Sequence, residues 1–116
     1  MKAEIYNVGG WVKEIDPTKL KNGYSELLAL SGFDILNFQD HYFKPIGWTG
    51  LWLLGESHFA IHTFPEENKS YIELSSCNKE YYNCFVSNLN ALETRYSKAD
   101  KGGVFIDTNY ILNNFI

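Results

Sequence analysis

The stretch "TGLWLLGESHFAIHTFPE", residues 49–66, decides how the rest of the chain must be arranged. Its first half is continuously apolar through Leu54 and reads as a strand buried on both faces, hence central in a sheet. His58 to Phe64 reads as a second strand. A plain structural hairpin would join two such runs with Asn-Gly or Asp-Gly. Here the junction carries Gly55, Glu56, Ser57 and His58, with His62 following, so its polar residues point to chemistry.

On the N-terminal side, Ala3 to Val8 alternates and meets Gly9-Gly10, which reads as a strand leaving into a turn. Asp16-Pro17 supplies an N-cap and a first-turn proline. Leu20, Tyr24, Leu27, Leu28 and Ser31 then fall on one helical face before Gly32 stops the helix. Strand character returns from Phe33 to Phe38. On the C-terminal side a strand over Ser70 to Ser76 precedes Asn78, a cap for a second helix with Tyr81, Phe85, Leu89, Leu92 and Tyr96 as its buried stripe. A short strand, Val104-Phe105-Ile106, is expected after Gly102-Gly103.

This order lacks the regular βαβα alternation of a parallel nucleotide-binding sheet. It suits an α+β, two-layer sandwich, with a mostly antiparallel sheet and two helices on one face. No linker or low-complexity segment divides residues 1–116, so a single domain is expected. The second sheet face needs cover, and with 16% Phe, Trp and Tyr a homodimer is the expected way to supply it.

The 116 residues carry a net charge of -4 and are 45% apolar. No basic stripe marks a nucleic-acid partner. No apolar run approaches the roughly 20 residues of a membrane helix, and the opening Met1-Lys2-Ala3-Glu4 has no signal-peptide core, so a cytoplasmic protein is expected. Cys77 and Cys84 match no zinc or C-x-x-C spacing and are expected as free thiols. No cluster of histidines and carboxylates suggests a metal.

A serine hydroxyl held against its own preceding carbonyl can attack it, turning the Glu56-Ser57 amide into an ester. That step asks for strain and for donors that stabilise the oxyanion. His62 can move the protons, because histidine titrates near neutrality. β-Elimination would then break the chain before Ser57 and leave a dehydroalanine that hydrolyses to a pyruvoyl group.

At these residues the chain resembles the pyruvoyl-dependent S-adenosylmethionine decarboxylases of prokaryotic type. "HYFKPIGWTGLWLLGESHFAIHTFPE" is similar to the family pattern His-x-Phe-x-Pro-x-Gly-x-Ser/Thr-Gly, then Glu-Ser-His, then His-Thr-aromatic-Pro-Glu, and Cys77 closes it. The resemblance covers roughly residues 3 to 77. It implies a proenzyme that cuts itself after Glu56 into a β chain of residues 1–56 and an α chain of 57–116. Ser57 would become the covalent pyruvoyl cofactor. His62 would assist processing, with Thr49 in the place of a supporting serine, and Cys77 would protonate the substrate's α-carbon. Phe43 would offer its ring to the adenine of S-adenosylmethionine, and Phe64 and Glu66 would border the site. The pyruvoyl ketone takes the electron-sink task that pyridoxal phosphate performs elsewhere, and the product would be the aminopropyl donor for spermidine synthesis. Gly55, Glu73 and Asn78 depart from the usual serine, aspartate and glycine.

Singly, each of these residues has a plainer reading: Ser57 as a turn residue, His62 as a hydrogen-bonded core histidine, Cys77 as a small buried apolar group, Phe43 as core. Their joint spacing inside the longer pattern favours the family. His58 reads as packing or positioning, His41 as a strand-end residue and Cys84 as structural. Trp11, Trp48 and Trp52 are expected in the sheet or at the dimer surface. Ser57 and His62 lie five apart, so a regular strand points them to opposite faces, and a bend or bulge is required if they cooperate. Two alternatives stay open: a pyruvoyl-dependent arginine or ornithine decarboxylase, and a non-catalytic relative that never cleaves. Asn78 as a cap would bring Cys77 near a positive helix end, which favours thiolate, whereas proton donation asks for a thiol.

Overall fold

The computed structural model describes residues 3–99, with side chains up to residue 89. Five strands and two long helices follow in the order β1 (Tyr6–Val12), α1 (Pro17–Leu30), β2 (Ile35–Tyr42), β3 (Trp48–Leu54), β4 (Ser57–Phe64), β5 (Lys69–Ser76) and α2 (Lys79–Ala99), with a 3-10 turn at Pro65–Glu67. The strands form one sheet, β1-β5-β4-β3-β2, and every neighbouring pair is antiparallel. This is the two-layer α+β sandwich expected. The proposed strand over Val104-Phe105-Ile106, and the side chains of Leu92 and Tyr96, lie outside the described residues.

Helix α1 starts and stops for local reasons. The Asp16 carboxylate accepts the Thr18 N–H at 3.1 Å, and Pro17 occupies the first turn, where its missing N–H costs nothing. At the other end Gly32 has φ 109°, the Gly32 N–H reaches the Ala29 carbonyl and the Phe33 N–H reaches that of Leu28. That double closure is a Schellman cap. A side chain at Gly32 would also meet the Tyr81 ring at 2.7 Å, so both backbone and space demand glycine. Leu20, Tyr24, Leu27 and Leu28 are buried, each leucine contributing about 1.5–3 kcal/mol if fully removed from water. The Trp52 indole N–H donates to Ser25 at 2.9 Å and ties the helix to the sheet.

The core lies between this helix layer and one sheet face, built from Trp48, Trp52 and Leu54 of β3, Phe59 and Ile61 of β4, Ile72 and Leu74 of β5, and Phe85 and Leu89 of α2. The alternate residues face the open side. Leu51 and Leu53 are 48% and 55% exposed there, which corrects the reading of β3 as buried on both faces. Nor is β3 central: that place belongs to β4, and β2 flanks β3 at the edge. An unbroken apolar run cannot tell a strand covered twice within one chain from a strand whose second face awaits other cover. A second correction concerns Gly9-Gly10, which lie inside β1 opposite Glu73 and Ile72; the ladder with β5 overrides their turn preference. Phe33 is likewise a buried residue of the α1–β2 connection, not a strand residue.

Candidate active site

β3 and β4 join through a two-residue turn, Leu54 pairing with Ser57. Gly55 does not supply the left-handed conformation; Glu56 does, at φ 56°. A non-glycine residue there is strained by its Cβ. The strain therefore sits on the residue whose carbonyl precedes Ser57. Cys77, just past the end of β5, closes over the same turn: its thiol donates to the Glu56 carbonyl at 3.1 Å and stands 3.5 Å from the Glu56 carboxylate. The carbonyl that a Ser57 attack would convert into an oxyanion thus already has a donor aimed at it.

Ser57 is the first residue of β4 and is 7% exposed. Its hydroxyl donates to Ser76 at 2.8 Å, its cross-strand partner. Ser76 bonds the backbone of Asn78, and the Asn78 side chain caps α2 by accepting the Tyr81 N–H at 3.0 Å. Glu56, Ser57, Ser76 and Cys77, with His58, Leu36 and Ile5, line an open cleft of about 460 Å³.

Desolvation, the hydrogen bond to Glu56 and the negative charge of that carboxylate, in that order, push the Cys77 thiol above its ordinary value, outweighing the backbone hydrogen bond that lowers it. These contributions favour the thiol over the thiolate, opposite to the direction expected from the helix end alone. Both cysteines are free, and Cys84 is exposed, contrary to its reading as a structural residue.

The remaining predicted residues gather at the other end of the sheet. Thr49 and His62 are cross-strand partners, and the Thr49 hydroxyl meets His62 Nδ1 at 2.9 Å. Phe43 is exposed on the β2–β3 hairpin, which closes through the Phe43 N–H to the Gly47 carbonyl. Thr63 anchors the start of β3 by accepting the Trp48 N–H at 2.8 Å. Phe64 packs edge-on against Trp11 at 5.8 Å, and Glu66 is exposed in the turn that follows. β4 pairs with β5 without a register break, so the bend needed to unite Ser57 with His62 does not exist. They face opposite sides of the sheet and lie roughly 16 Å apart along the strand, at about 3.3 Å per residue.

Sequence reasoning missed Ser76. Its signal was only its place before Cys77, since the Ser57–Ser76 pair depends on a β4–β5 register that the two segments do not reveal separately. Among the described residues no group of three or more His, Cys, Asp or Glu side chains is placed to hold a metal, and no helix is long and apolar enough to cross a membrane.

The fold belongs to the adenosylmethionine decarboxylase class of two-layer sandwiches. The crystal structure of the adenosylmethionine decarboxylase from Aquifex aeolicus VF5 superposes with a TM-score of 0.57 over 78% of this chain and 83% of that one, at 19% identity. The profile of the S-adenosylmethionine decarboxylase family matches residues 3–102, and the chain belongs to that family. Similar curated proteins include the S-adenosylmethionine decarboxylase proenzyme of Prochlorococcus marinus strain MIT 9313, 42% identical over 62 residues, 53% of this chain and 50% of that protein. The S-adenosylmethionine decarboxylase proenzyme 2 of Bacillus anthracis is 48% identical over 48 residues, 41% of this chain and 39% of its own length. The chain thus spans about half the length, or less, of these relatives in the matched region.

Proposed function

We propose that this chain is the proenzyme of a cytoplasmic, pyruvoyl-dependent S-adenosylmethionine decarboxylase that cleaves itself between Glu56 and Ser57. The observation that carries the reading is the strained Glu56, its carbonyl held by the Cys77 thiol, followed directly by a buried, hydrogen-bonded Ser57. The Ser57 oxygen adds to the Glu56 carbonyl carbon and the C–N bond breaks, giving an ester and a free amine at residue 57. Loss of the Ser57 α-proton breaks the Cβ–Oγ bond and expels the main-chain carboxylate of residue 56 as the new C-terminus of the β chain, leaving dehydroalanine at 57; its imine tautomer takes up water and releases ammonia. The residues present fit a pyruvoyl group: a serine at the start of a strand, beside a cleft large enough for a small substrate.

Formed at residue 57, a pyruvoyl group would supply the carbonyl for the substrate amine and the electron sink for decarboxylation. The Cys77 thiol, which reaches the Glu56 carbonyl just before Ser57, stands ready to return a proton to the substrate's α-carbon. Phe43 and Phe64 offer aromatic faces to an adenine, and the Glu66 carboxylate offers acceptors to ribose hydroxyls.

The sheet splits these roles between its two ends, so the active protein is a homodimer in which His62, Thr49, Phe43 and Glu66 of one copy serve Ser57 of the other. The exposed Leu51 and Leu53 on the open face support that packing. Release of carbon dioxide from carboxyl-labelled S-adenosylmethionine by the cleaved protein tests the substrate. Turnover of ornithine or arginine in its place would overturn that assignment.

A further inference from the structure

Ser76 is 1% exposed, and nothing in the proposed chemistry yet uses it. Its oxygen accepts the Asn78 N–H at 3.0 Å, and its hydroxyl donates to the Asn78 carbonyl at 3.3 Å. A backbone N–H only donates and a carbonyl only accepts, so the single Ser76 hydrogen is committed to Asn78. What Ser76 has left for Ser57 is a lone pair. The 2.8 Å contact between the two oxygens is therefore Ser57 donating. For a hydroxyl about to act as nucleophile this is the favourable sense, because its hydrogen is held while its own lone pairs stay free.

We propose that Ser76 is a positioning residue for self-cleavage: fixed by the backbone of Asn78, the residue that caps α2, it holds the Ser57 hydroxyl as donor, leaving an oxygen lone pair free for the Glu56 carbonyl carbon. This rests on the self-processing reading above. It also gives Asn78 a second task besides capping the helix, since its backbone N–H and C=O set the orientation of Ser76.

The test follows self-cleavage by intact mass in freshly made full-length Ser76→Ala, Ser76→Thr and Ser76→Val, with thermal melting as the measure of folding. Threonine and valine add similar bulk to the site, so the hydroxyl is the difference between them. Ser76→Thr is expected to cleave within a few-fold of the unsubstituted chain. Ser76→Ala and Ser76→Val are expected to slow by roughly 100-fold, the scale of a misplaced reacting group. Hydroxylamine, which cuts esters faster than amides, should not rescue them, because the slowed step precedes the ester. Cleavage of Ser76→Ala at the unsubstituted rate overturns the role of Ser76 alone, as does rescue by hydroxylamine. If Ser76→Val does not fold, the Ser76→Ala comparison decides. An unsubstituted chain that never cleaves instead overturns the self-processing reading, and the role of Ser76 with it.

Discussion

At the scale of single residues, the proposed cleavage site adjoins a strained backbone position. Placing Glu56 in the left-handed region costs roughly 1–2 kcal/mol against an ordinary conformer, and that tension adjoins the amide proposed to break. The Cys77 thiol donates to that same carbonyl and is the proposed later proton donor, so Cys77→Ala is expected to slow self-cleavage as well as turnover. The thiol also makes a prediction about pH. A raised pKa means the neutral form persists to higher pH, so alkylation of Cys77 in the uncleaved Ser57→Ala chain should show a midpoint above the ~8.5 of a free cysteine. Adding Glu56→Gln removes the carboxylate's charge and should lower that midpoint, read by peptide mass to separate Cys77 from Cys84; an unchanged midpoint would remove Glu56 as a cause. Ser57, Glu56 and Cys77 were legible from spacing within a longer pattern. Their contacts were not, because the thiol-to-carbonyl bond and the Ser57–Ser76 pair exist only once β4 and β5 are in register.

At the scale of elements, the helices were the most legible parts, since Asp16, Pro17 and Gly32 act on their own neighbours. The strands were less so. Gly9-Gly10 was read as a turn because its partners in β5 lie some sixty residues away, and β3 was read as doubly buried because an apolar side chain does not declare what covers it. β3 also carries a packing constraint that its apolar run conceals. A side chain at Gly50 would stand 2.6 Å from the Trp48 ring and 3.1 Å from that of Trp52. Both rings are fully buried, so Gly50→Ala forces a core aromatic to move and should cost roughly 1–3 kcal/mol, measured by chemical denaturation of the Ser57→Ala chain. A neutral effect would mean the rings yield freely and the core around β3 is looser than described.

At the scale of the whole molecule, the residues proposed for one active site lie at two ends of a sheet, Ser57 and Cys77 at one and Thr49, His62, Phe43 and Glu66 at the other. Motif spacing conveyed which residues belong together; it could not convey that one chain separates them, because sequence distance does not fix which copy a residue serves. If two copies complete each other, His62→Ala and Ser57→Ala chains should each cleave poorly or not at all alone. Co-expressed, the His62→Ala chain should be cut, since it keeps Ser57 and borrows His62 from its companion. Failure of the mixture to cleave, or rapid cleavage of His62→Ala by itself, would contradict the shared site. Leu51→Glu with Leu53→Glu should abolish dimerisation in sedimentation, as charge on the open face opposes its burial. The most direct measurement remains the intact mass of the purified chain under denaturing conditions, immediately and after incubation. The expected result is two fragments meeting at Glu56 and Ser57, the second beginning with a pyruvoyl group; one full-length mass that persists would contradict self-cleavage and the activity built on it.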